Sequence, residues 1–418
     1  MKKRRFAAAL LALLLLLLPL SACGGADAAP RAIDLTASVT ARETDAVEPS
    51  AEQSAAIMEF GLSLLREGFS GGNSLISPVS LLLALGMTAN GAEGQTRAQM
   101  EAVLGMDADA LSACLHGYLA SLPAQNSSTS MGKLNAASSI WVREGISVRE
   151  PFLQAAVDAY DAQVYSAPFD QSTVSAVNAW VSRHTDGMID RILSDLPSDS
   201  AMLLLNAVAF DAEWQTIYRE GSVRDRTFTC EDGAERTVSM MYSGESRYLE
   251  SPLAAGFLRP YLGGRYVFAA LLPDEGVTVS ELLSSLDGQA LCDLLSAPVD
   301  AEVDAGLPKF SYETAMDAKA PLTALGMTDA FSADDADFSG ISRAGDLFIS
   351  RVLHKAYIAV NEKGTRAGAA TAVDMGATGT MIPEEHKTVI LDRPFVYLIL
   401  DTKYTTPVFL GVLMDPGE

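Results

Sequence analysis

Side chains of two chemical kinds alternate along residues 365–375. The odd positions are small or apolar: Thr365, Ala367, Ala369, Thr371, Val373 and Met375. The even positions carry both charges: Arg366, Gly368, Ala370, Ala372 and Asp374. Because successive side chains of a strand point to opposite faces, this segment can form a strand with one dry face. Its Ala and Gly residues give weak strand propensity, so a flexible linker is the competing interpretation.

The alternating segment belongs to a long stretch between two strand-like runs. Residues 361–387 separate the runs 352–360 and 388–400 and contain few large apolar side chains. Structureless loops beyond about 15 residues are uncommon inside domains, and they are usually functional or disordered. The length therefore predicts either a functional loop or a disordered one.

Motifs of common enzymes are absent from the sequence. It contains no HExxH, no GxSxG, no Walker-type glycine loop and no GxGxxG. The four histidines are His116, His184, His354 and His386, and none has metal-ligand spacing to another His or Cys. A histidine in an apolar strand is by default a hydrogen-bonded core residue. We therefore predict a protein that is not an enzyme and that uses neither metal nor cofactor.

Composition sets limits on the partners. The chain has 418 residues, 49% of them hydrophobic, which is enough for one large core. Its net charge of −23 argues against nucleic acid, because phosphate binding requires a basic face.

The first residues resemble an export signal rather than part of a fold. Basic residues 2–5 precede an apolar stretch, 6–20, that is short for a membrane span. Leu20-Ser21-Ala22-Cys23 then resembles a bacterial lipobox, with an ordinary secretory signal as the alternative. We predict a signal peptide over 1–22, lipid on Cys23, a flexible tether over 23–52 and one domain over 53–418. The expected location is a bacterial cell surface, lipid-anchored to the membrane, or the extracellular space.

The rest of the chain changes from helical to strand-like patterns. Helical periodicity predicts helices within 53–122, 151–160, 174–193, 278–295 and 317–325. Strands are predicted at 135–142, at 202–210 and in most of the chain from 228 onward. Helices followed by strands favour an α+β domain.

Six stretches, in order along the chain, resemble the serpin family of protease inhibitors. They are NSLISPVSLLLALGMTANGAEGQT (73–96), VNAWVSRHTDGMIDRIL (177–193), LLLNAVAFDAEW (203–214), LPKFSYETAMDAKAPLTALGMTDAFSADDADFSGIS (307–342), VLHKAYIAVNEKGTRAGAATAV (352–373) and LDRPFVYLILDTKYTTPVFLGVLMDP (391–416). The resemblance covers roughly residues 53–416. It implies the α+β serpin fold, with three β-sheets, about nine helices and an exposed reactive-centre loop.

The resemblance also implies a mechanism. A serine protease would cut the loop and form an acyl-enzyme, and the freed segment would insert into the central sheet and trap the protease. The implied hinge consists of Glu362, Gly364, Thr365, Arg366, Ala367, Gly368, Ala369 and Ala370. Arg366 departs from the family pattern, since many inhibitory members carry Glu there. It lies on the even face, where we expect a charge to be tolerated.

Two polar clusters follow from the resemblance. The breach, at the top of the sheet, would contain Trp214, Lys309 and Glu362, with the lysine paired to the hinge glutamate. The shutter, under the centre of the sheet, would contain Ser77, Ser80, Asn206 and His354. Each shutter residue is polar within an apolar run, so each requires a buried partner.

The family's usual spacing from Glu362 predicts cleavage between Thr378 and Gly379, with Met381-Ile382 as second choice. Neither bond follows Arg or Lys, which disfavours trypsin-like proteases and favours elastase-like or subtilisin-like serine proteases. We expect a monomer.

Two other functions remain open on the sequence. A non-inhibitory serpin, acting as carrier or chaperone, would carry charged or bulky inward residues in the hinge, whereas Thr365, Ala367 and Ala369 are small. A surface solute-binding lipoprotein would require paired α/β lobes, which the order of elements does not indicate.

Overall fold

The computed structural model describes residues 32–42, 46–122, 132–343, 345, 347–365 and 386–417. Nine α-helices occur in these ranges: α1 Ala51–Gly68, α2 Pro78–Ala89, α3 Gly94–Leu104, α4 Ala108–Ser121, α5 Glu150–Tyr160, α6 Gln171–His184, α7 Val279–Ser285, α8 Gly288–Ser296 and α9 Lys319–Ala324. None of the helices in this described part has the length and apolar character to cross a bilayer.

The strands fall into two hydrogen-bonded sheets. They are β1 Ile33–Asp34, β2 Ser74–Ile76, β3 Lys133–Arg143, β4 Gln163–Ala167, β5 Met202–Glu213, β6 Val223–Thr229, β7 Glu235–Glu250, β8 Ala254–Pro260, β9 Tyr266–Pro273, β10 Val299–Pro308, β11 Phe310–Asp317, β12 Ile349–Val360, β13 Gly364–Thr365, β14 His386–Ile390, β15 Phe395–Asp401 and β16 Thr406–Leu413. The seven-stranded sheet has the order β1-β4-β3-β5-β13-β12-β11. The nine-stranded sheet has the order β14-β10-β7-β8-β9-β15-β16-β2, with β6 paired to β7.

The predicted α+β class is confirmed. The second and third sheets expected from the resemblance form one continuous nine-stranded sheet, because the 16-residue strand β7 pairs with β6, β8 and β10. A long strand can change neighbours along its length, which sequence periodicity does not reveal. Both sheets share one main core, so the described residues do not form the paired lobes of a solute-binding protein.

The central strand β5 is buried on both faces, as its apolar run predicts. Its even-numbered residues Met202, Leu204, Val208, Phe210 and Ala212 face the main core between the two sheets. Its odd-numbered residues Leu203, Leu205 and Ala207 face a second core that includes Trp180 of α6. The outer face of the seven-stranded sheet is therefore covered by α6.

Helix α2 is buried along all of its twelve residues, as its uniformly apolar sequence predicts. Pro78 occupies its first turn, where a missing backbone N–H costs nothing. Ser77 precedes it without a side-chain cap, and the Ser77 backbone N–H donates to a side chain described below.

Helix α6 is shorter than predicted. The pattern over 174–193 predicts one helix, but α6 ends at His184. Asp186 and Gly187 adopt positive φ angles of 51° and 70°, which are incompatible with a continuing helix. The side chain of Asn178 then accepts the backbone N–H groups of Ile192 and Leu193, which fixes the following segment against the helix.

The predicted tether over 23–52 is wrong for its described part. Strand β1 pairs with β4, with Ile33 opposite Ser166, and Arg42 forms a 2.7 Å ion pair with Asp158. A Cβ added to Gly117 of α4 would lie 1.7 Å from the Val47 carbonyl oxygen, so the segment packs tightly there. Polar composition conceals this attachment, because backbone hydrogen bonds at a sheet edge do not require apolar side chains.

Candidate functional site

The hinge enters the seven-stranded sheet between β5 and β12. Gly364 lies opposite Glu213, and Thr365 lies opposite both Ala212 on β5 and Val360 on β12, antiparallel to each strand. Further along the sheet, β5 and β12 pair directly and in parallel, from Met202–Ile349 to Val208–Ala356. The direct pairing of β5 with β12 thus ends at Val208–Ala356, and beyond it, at the open end of the gap, the two residues of β13 lie between the strands at Ala212 and Glu213.

Gly364 is required by a close approach of backbones. A Cβ added to it would lie 2.0 Å from the Ala212 carbonyl oxygen and 2.8 Å from the Glu213 Cα. Both contacts are with rigid strand backbone, which cannot move aside. Glycine is therefore the residue that lets the chain enter the gap.

The breach residues meet at this open end. The Lys309 ammonium donates to Glu362 Oε1 at 2.7 Å, and both side chains are about one-third exposed. Burial alone would raise the pKa of the Glu362 carboxyl, but the bond from Lys309 and nearby lysine charges hold that pKa below its ordinary value. A partly exposed pair contributes about 0.2–1 kcal/mol, so it positions the hinge more than it stabilises the fold.

Backbone contacts hold the hinge from the β5 side. The Trp214 indole N–H donates to the Asn361 carbonyl at 2.9 Å. The Trp214 backbone N–H donates to the Lys363 carbonyl at 2.8 Å. The Tyr218 backbone N–H donates to the Glu362 carbonyl at 2.9 Å. The carbonyls of the three consecutive residues 361, 362 and 363 are thereby bound, two of them by Trp214.

A buried cation supports this tryptophan. The Arg259 guanidinium lies 5.0 Å from the Trp214 ring centre and 3.9 Å from that of Tyr218, and it is ion-paired with Glu245. Arg259 is 4% exposed. Neither Arg259 nor Tyr218 was assigned from the sequence, because nothing in the local pattern distinguishes them from other residues of strand and loop.

The four shutter residues also meet. The Ser77 backbone N–H donates to His354 Nε2 at 3.1 Å, and His354 Nδ1 lies 2.7 Å from Asn206 Oδ1. The Asn206 amide donates to Ser80 Oγ at 2.5 Å and to Ser138 Oγ at 3.0 Å. Ser138, on β3, is an addition that the sequence did not reveal, since it lies among other small residues.

These contacts define the chemical state of His354. Because Nε2 accepts from Ser77, the ring proton lies on Nδ1 and is donated to Asn206. Complete burial lowers the pKa of His354 to about 3, so the ring is neutral at physiological pH. The shutter is a network of neutral hydrogen bonds, with no charge available for catalysis.

The shutter spans the closed part of the gap. His354 on β12 and Asn206 on β5 are opposite each other in the parallel pairing. Separating these strands must therefore break the bond between His354 Nδ1 and Asn206 Oδ1. The arrangement can therefore resist or permit opening of the sheet.

Several sequence assignments lie outside the described residues. They are Cys23, the hinge residues Arg366, Ala367, Gly368, Ala369 and Ala370, and the bonds Thr378–Gly379 and Met381–Ile382. Within the described ranges, no three His, Cys, Asp or Glu side chains are grouped to hold a metal ion.

Comparisons with known proteins agree with this geometry. A family model described as "Serpin (serine protease inhibitor)" matches residues 55–416. The leukocyte elastase inhibitor of Sus scrofa is 32% identical over 381 residues, covering 87% of this chain and 99% of that protein. Human thyroxine-binding globulin complexed with its ligand has a TM-score of 0.77 at 25% identity, covering 88% of this chain and 100% of that one.

The thermophilic serpin Tengpin provides a further comparison, in two states. Its native state has a TM-score of 0.86 at 42% identity, covering 92% of this chain and 99% of that one. Its latent state has a TM-score of 0.76 at 41% identity, covering 90% and 100%. The described residues therefore resemble the native state more closely. With a family match over most of its length, the chain belongs to the serpin family.

Proposed function

We propose that the protein inhibits serine proteases by trapping them after cleavage of its own loop. The observation that carries this proposal is β13, which already lies between β5 and β12 and is antiparallel to both. The protease serine would attack a loop carbonyl, and the amide bond would break with release of the new amine. If the remaining acyl-linked segment continues β13 into the sheet before water attacks the ester, the protease stays attached.

The register of β13 supports insertion without slippage. Thr365 is opposite Ala212 and Val360, so an extended strand would bring Thr371 opposite both Asn206 and His354. Those two residues already face each other in the closed sheet. From Ala369 onward, each inserting residue would therefore separate one existing pair of β5 and β12. The Thr371 hydroxyl would offer the shutter a new hydrogen-bond partner.

The same register matches the charges of the loop. Arg366 would lie opposite Asp211 of β5, and Asp374 would lie opposite Arg351 of β12, both on the outer face. Opposite charges directly across a strand pair contribute roughly 0.2–1 kcal/mol. The inward residues Ala367 and Ala369 would meet the main core, where a charge would be costly. The substitution of Arg for the more common Glu at 366 thus has a specific complement in this chain.

The proposed target is an elastase-like or subtilisin-like serine protease. Cleavage is proposed at Thr378–Gly379, with Met381–Ile382 as the second choice, because neither bond follows a basic residue. Similarity to leukocyte elastase inhibitor supports this class of target.

We also propose that Cys23 carries lipid and holds a monomer at a bacterial surface. Eight residues separate Cys23 from Ala32, the first described residue. Extended, they span at most ~30 Å, so the membrane would lie close to the edge of the sheet formed by β1. Incorporation of labelled fatty acid into the wild type and not into Cys23→Ala supports the anchor, and equal labelling contradicts it.

The test is to mix the purified domain with a panel of elastase-like, subtilisin-like and trypsin-like serine proteases. We expect a covalent complex that survives denaturing electrophoresis with at least one elastase-like or subtilisin-like enzyme. Each protease with its active-site serine chemically blocked is the matched control and should form none. Cleavage of the loop by every active protease, without any complex, would contradict the proposal.

A non-inhibitory carrier is the second candidate, because the similarity extends to thyroxine-binding globulin in complex with thyroxine. The small inward residues of the hinge favour inhibition. A carrier would bind its ligand with the loop intact, and cutting the loop would yield no trapped protease.

A further inference from the structure

Thr365 is the first inward residue of the hinge, and its side chain is already inside the protein. It is 1% exposed and lies opposite Ala212 and Val360, which both face the main core. Residues directly opposite each other in antiparallel strands point to the same face. The Thr365 hydroxyl therefore points into the layer between the two sheets.

The hydroxyl meets the phenol of Tyr261, 2.5 Å away. Tyr261 follows β8, at the start of the turn into β9, and is fully buried. Its ring stacks on Trp214 at 4.4 Å and meets Phe210 edge-on at 5.2 Å. These contacts fix the ring, so the phenol oxygen occupies a defined position in front of Thr365.

The phenol also remains neutral. Burial raises the pKa of Tyr261 far above its ordinary value, outweighing the opposite effect of the hydrogen bond to Thr365. If Thr365 left the sheet, a neutral phenol oxygen would remain buried without this partner. A typical hydrogen bond of this kind changes an equilibrium about fivefold, which corresponds to ~1 kcal/mol.

We propose that Tyr261 is a positioning residue that holds the hinge in the sheet through Thr365, so that insertion begins from an established first pair. This inference rests on the proposed inhibitory function and deepens it. Forming the first pair of an inserting strand is slow relative to extending it, because closure entropy precedes any gain in contacts. Trapping competes with hydrolysis of the acyl-enzyme, so a hinge already in place favours trapping.

The first test requires no protease. Amide hydrogen exchange of residues 361–365 is measured in the wild type, Tyr261→Phe and Thr365→Val. We expect about fivefold faster exchange in both variants, since each loses one side of the same bond. Tyr160→Phe is the matched control, because Tyr160 is also a buried phenol with a short bond, 2.6 Å from the Asn90 amide, and it lies on α5. Unchanged exchange in Tyr261→Phe and Thr365→Val overturns the proposal.

The second test links the hinge to inhibition. The number of inhibitor molecules consumed per trapped protease should rise about two- to fivefold in Tyr261→Phe and Thr365→Val. The double variant, Tyr261→Phe with Thr365→Val, should consume no more inhibitor per trapped protease than either single variant. Thr365→Ser retains the hydroxyl and should consume as little inhibitor as the wild type. Fast exchange with unchanged consumption would overturn the role in trapping, as would additive losses in the double variant.

The two tests separate the two proposals. A wild type that traps no protease, yet shows the exchange difference, contradicts inhibition while supporting the anchoring of the hinge. If Tyr261→Phe fails to fold, Thr365→Val tests the same bond from the other side.

Discussion

The two ends of the gap between β5 and β12 differ in what holds them. At the open end, β13 separates the strands, and the hinge is bound by Trp214, Lys309 and Tyr261. In the closed part, β5 pairs directly with β12, and the bond between His354 and Asn206 crosses the gap. Under the proposed mechanism, opening would therefore be directional, from the hinge towards the shutter.

The largest effect on trapping is expected when a charge is buried at the open end of the gap. In Thr365→Arg, the guanidinium would have to enter a site that is 1% exposed, at a cost of several kcal/mol if unpaired. We expect trapping to fall more than about tenfold while the loop is still cut, which converts the inhibitor into a substrate. Electrophoresis of cleaved and complexed forms measures this ratio. Undiminished complex formation, with Thr365→Ser as control, would contradict the assignment of the inward face.

The folding stability contributed by the closed part of the gap should depend on pH, because His354 lies there. Its folded pKa is lowered to about 3, whereas an unperturbed histidine titrates near 6.5. Below pH ~6.5 the unfolded chain binds a proton that the folded protein excludes. The stability from neutral His354 is therefore complete above ~6.5 and lost towards pH ~3, by up to ~1.4 kcal/mol per pH unit. Urea unfolding of the intact protein between pH 7 and pH 4 should show a shallower pH dependence in His354→Gln, and parallel curves would contradict this.

The outer-face charges test whether the register of β13 continues along the gap. Arg366→Glu and Asp211→Lys should each lower the melting temperature of the loop-cleaved protein, by an amount equivalent to ~0.5–1 kcal/mol. The double swap should recover most of the loss, because the pair is restored with reversed sign. Calorimetry of the four cleaved proteins completes the cycle. Additive losses in the double swap would indicate a different register.

The smallest effect is expected at the ion pair of Lys309 and Glu362, whose side chains are about one-third exposed. Lys309→Ala should lower the free energy of local opening of the hinge by about 0.2–1 kcal/mol. This change is measured as faster amide hydrogen exchange of residues 361–365. Since the pKa of Glu362 is lowered in the folded state, the contribution is present above its ordinary value and declines as the pH falls through the folded pKa. High salt should reduce the difference in exchange rate between the wild type and Lys309→Ala, because salt screens the ion pair. A large, salt-independent effect would mean that Lys309 has another role.

The sequence predicted that Thr365 points inward, because alternation along a strand is a local property. Thr365 faces the core in the way that the odd-numbered pattern indicates. The position of Tyr261 was not predictable, since it depends on the turn between β8 and β9 meeting β5 from another sheet. Strand β1 was missed for a related reason, because two residues at an edge carry no periodicity.

The end of α6 was also misjudged, although a local signal was present. Asp186-Gly187 is a pair that tolerates positive φ and commonly ends a helix, but the apolar spacing through Leu193 outweighed it in the prediction. The shutter was assigned through the resemblance to serpins, and the rule that polar residues in apolar runs require buried partners agrees with that assignment. Ser138 escaped notice, as its neighbours are small and its run is less apolar.

The most direct test of insertion between β5 and β12 compares melting temperatures of the intact and loop-cleaved protein. A broad-specificity protease that cuts within 366–385 is sufficient, so the identity of the natural target does not matter. Insertion adds a central strand that is hydrogen-bonded on both sides, and we expect the cleaved protein to melt more than about 10 °C higher, which corresponds to several kcal/mol. Cleaved Thr365→Arg should gain much less. A cleaved wild type that melts at or below the temperature of the intact protein would contradict the account.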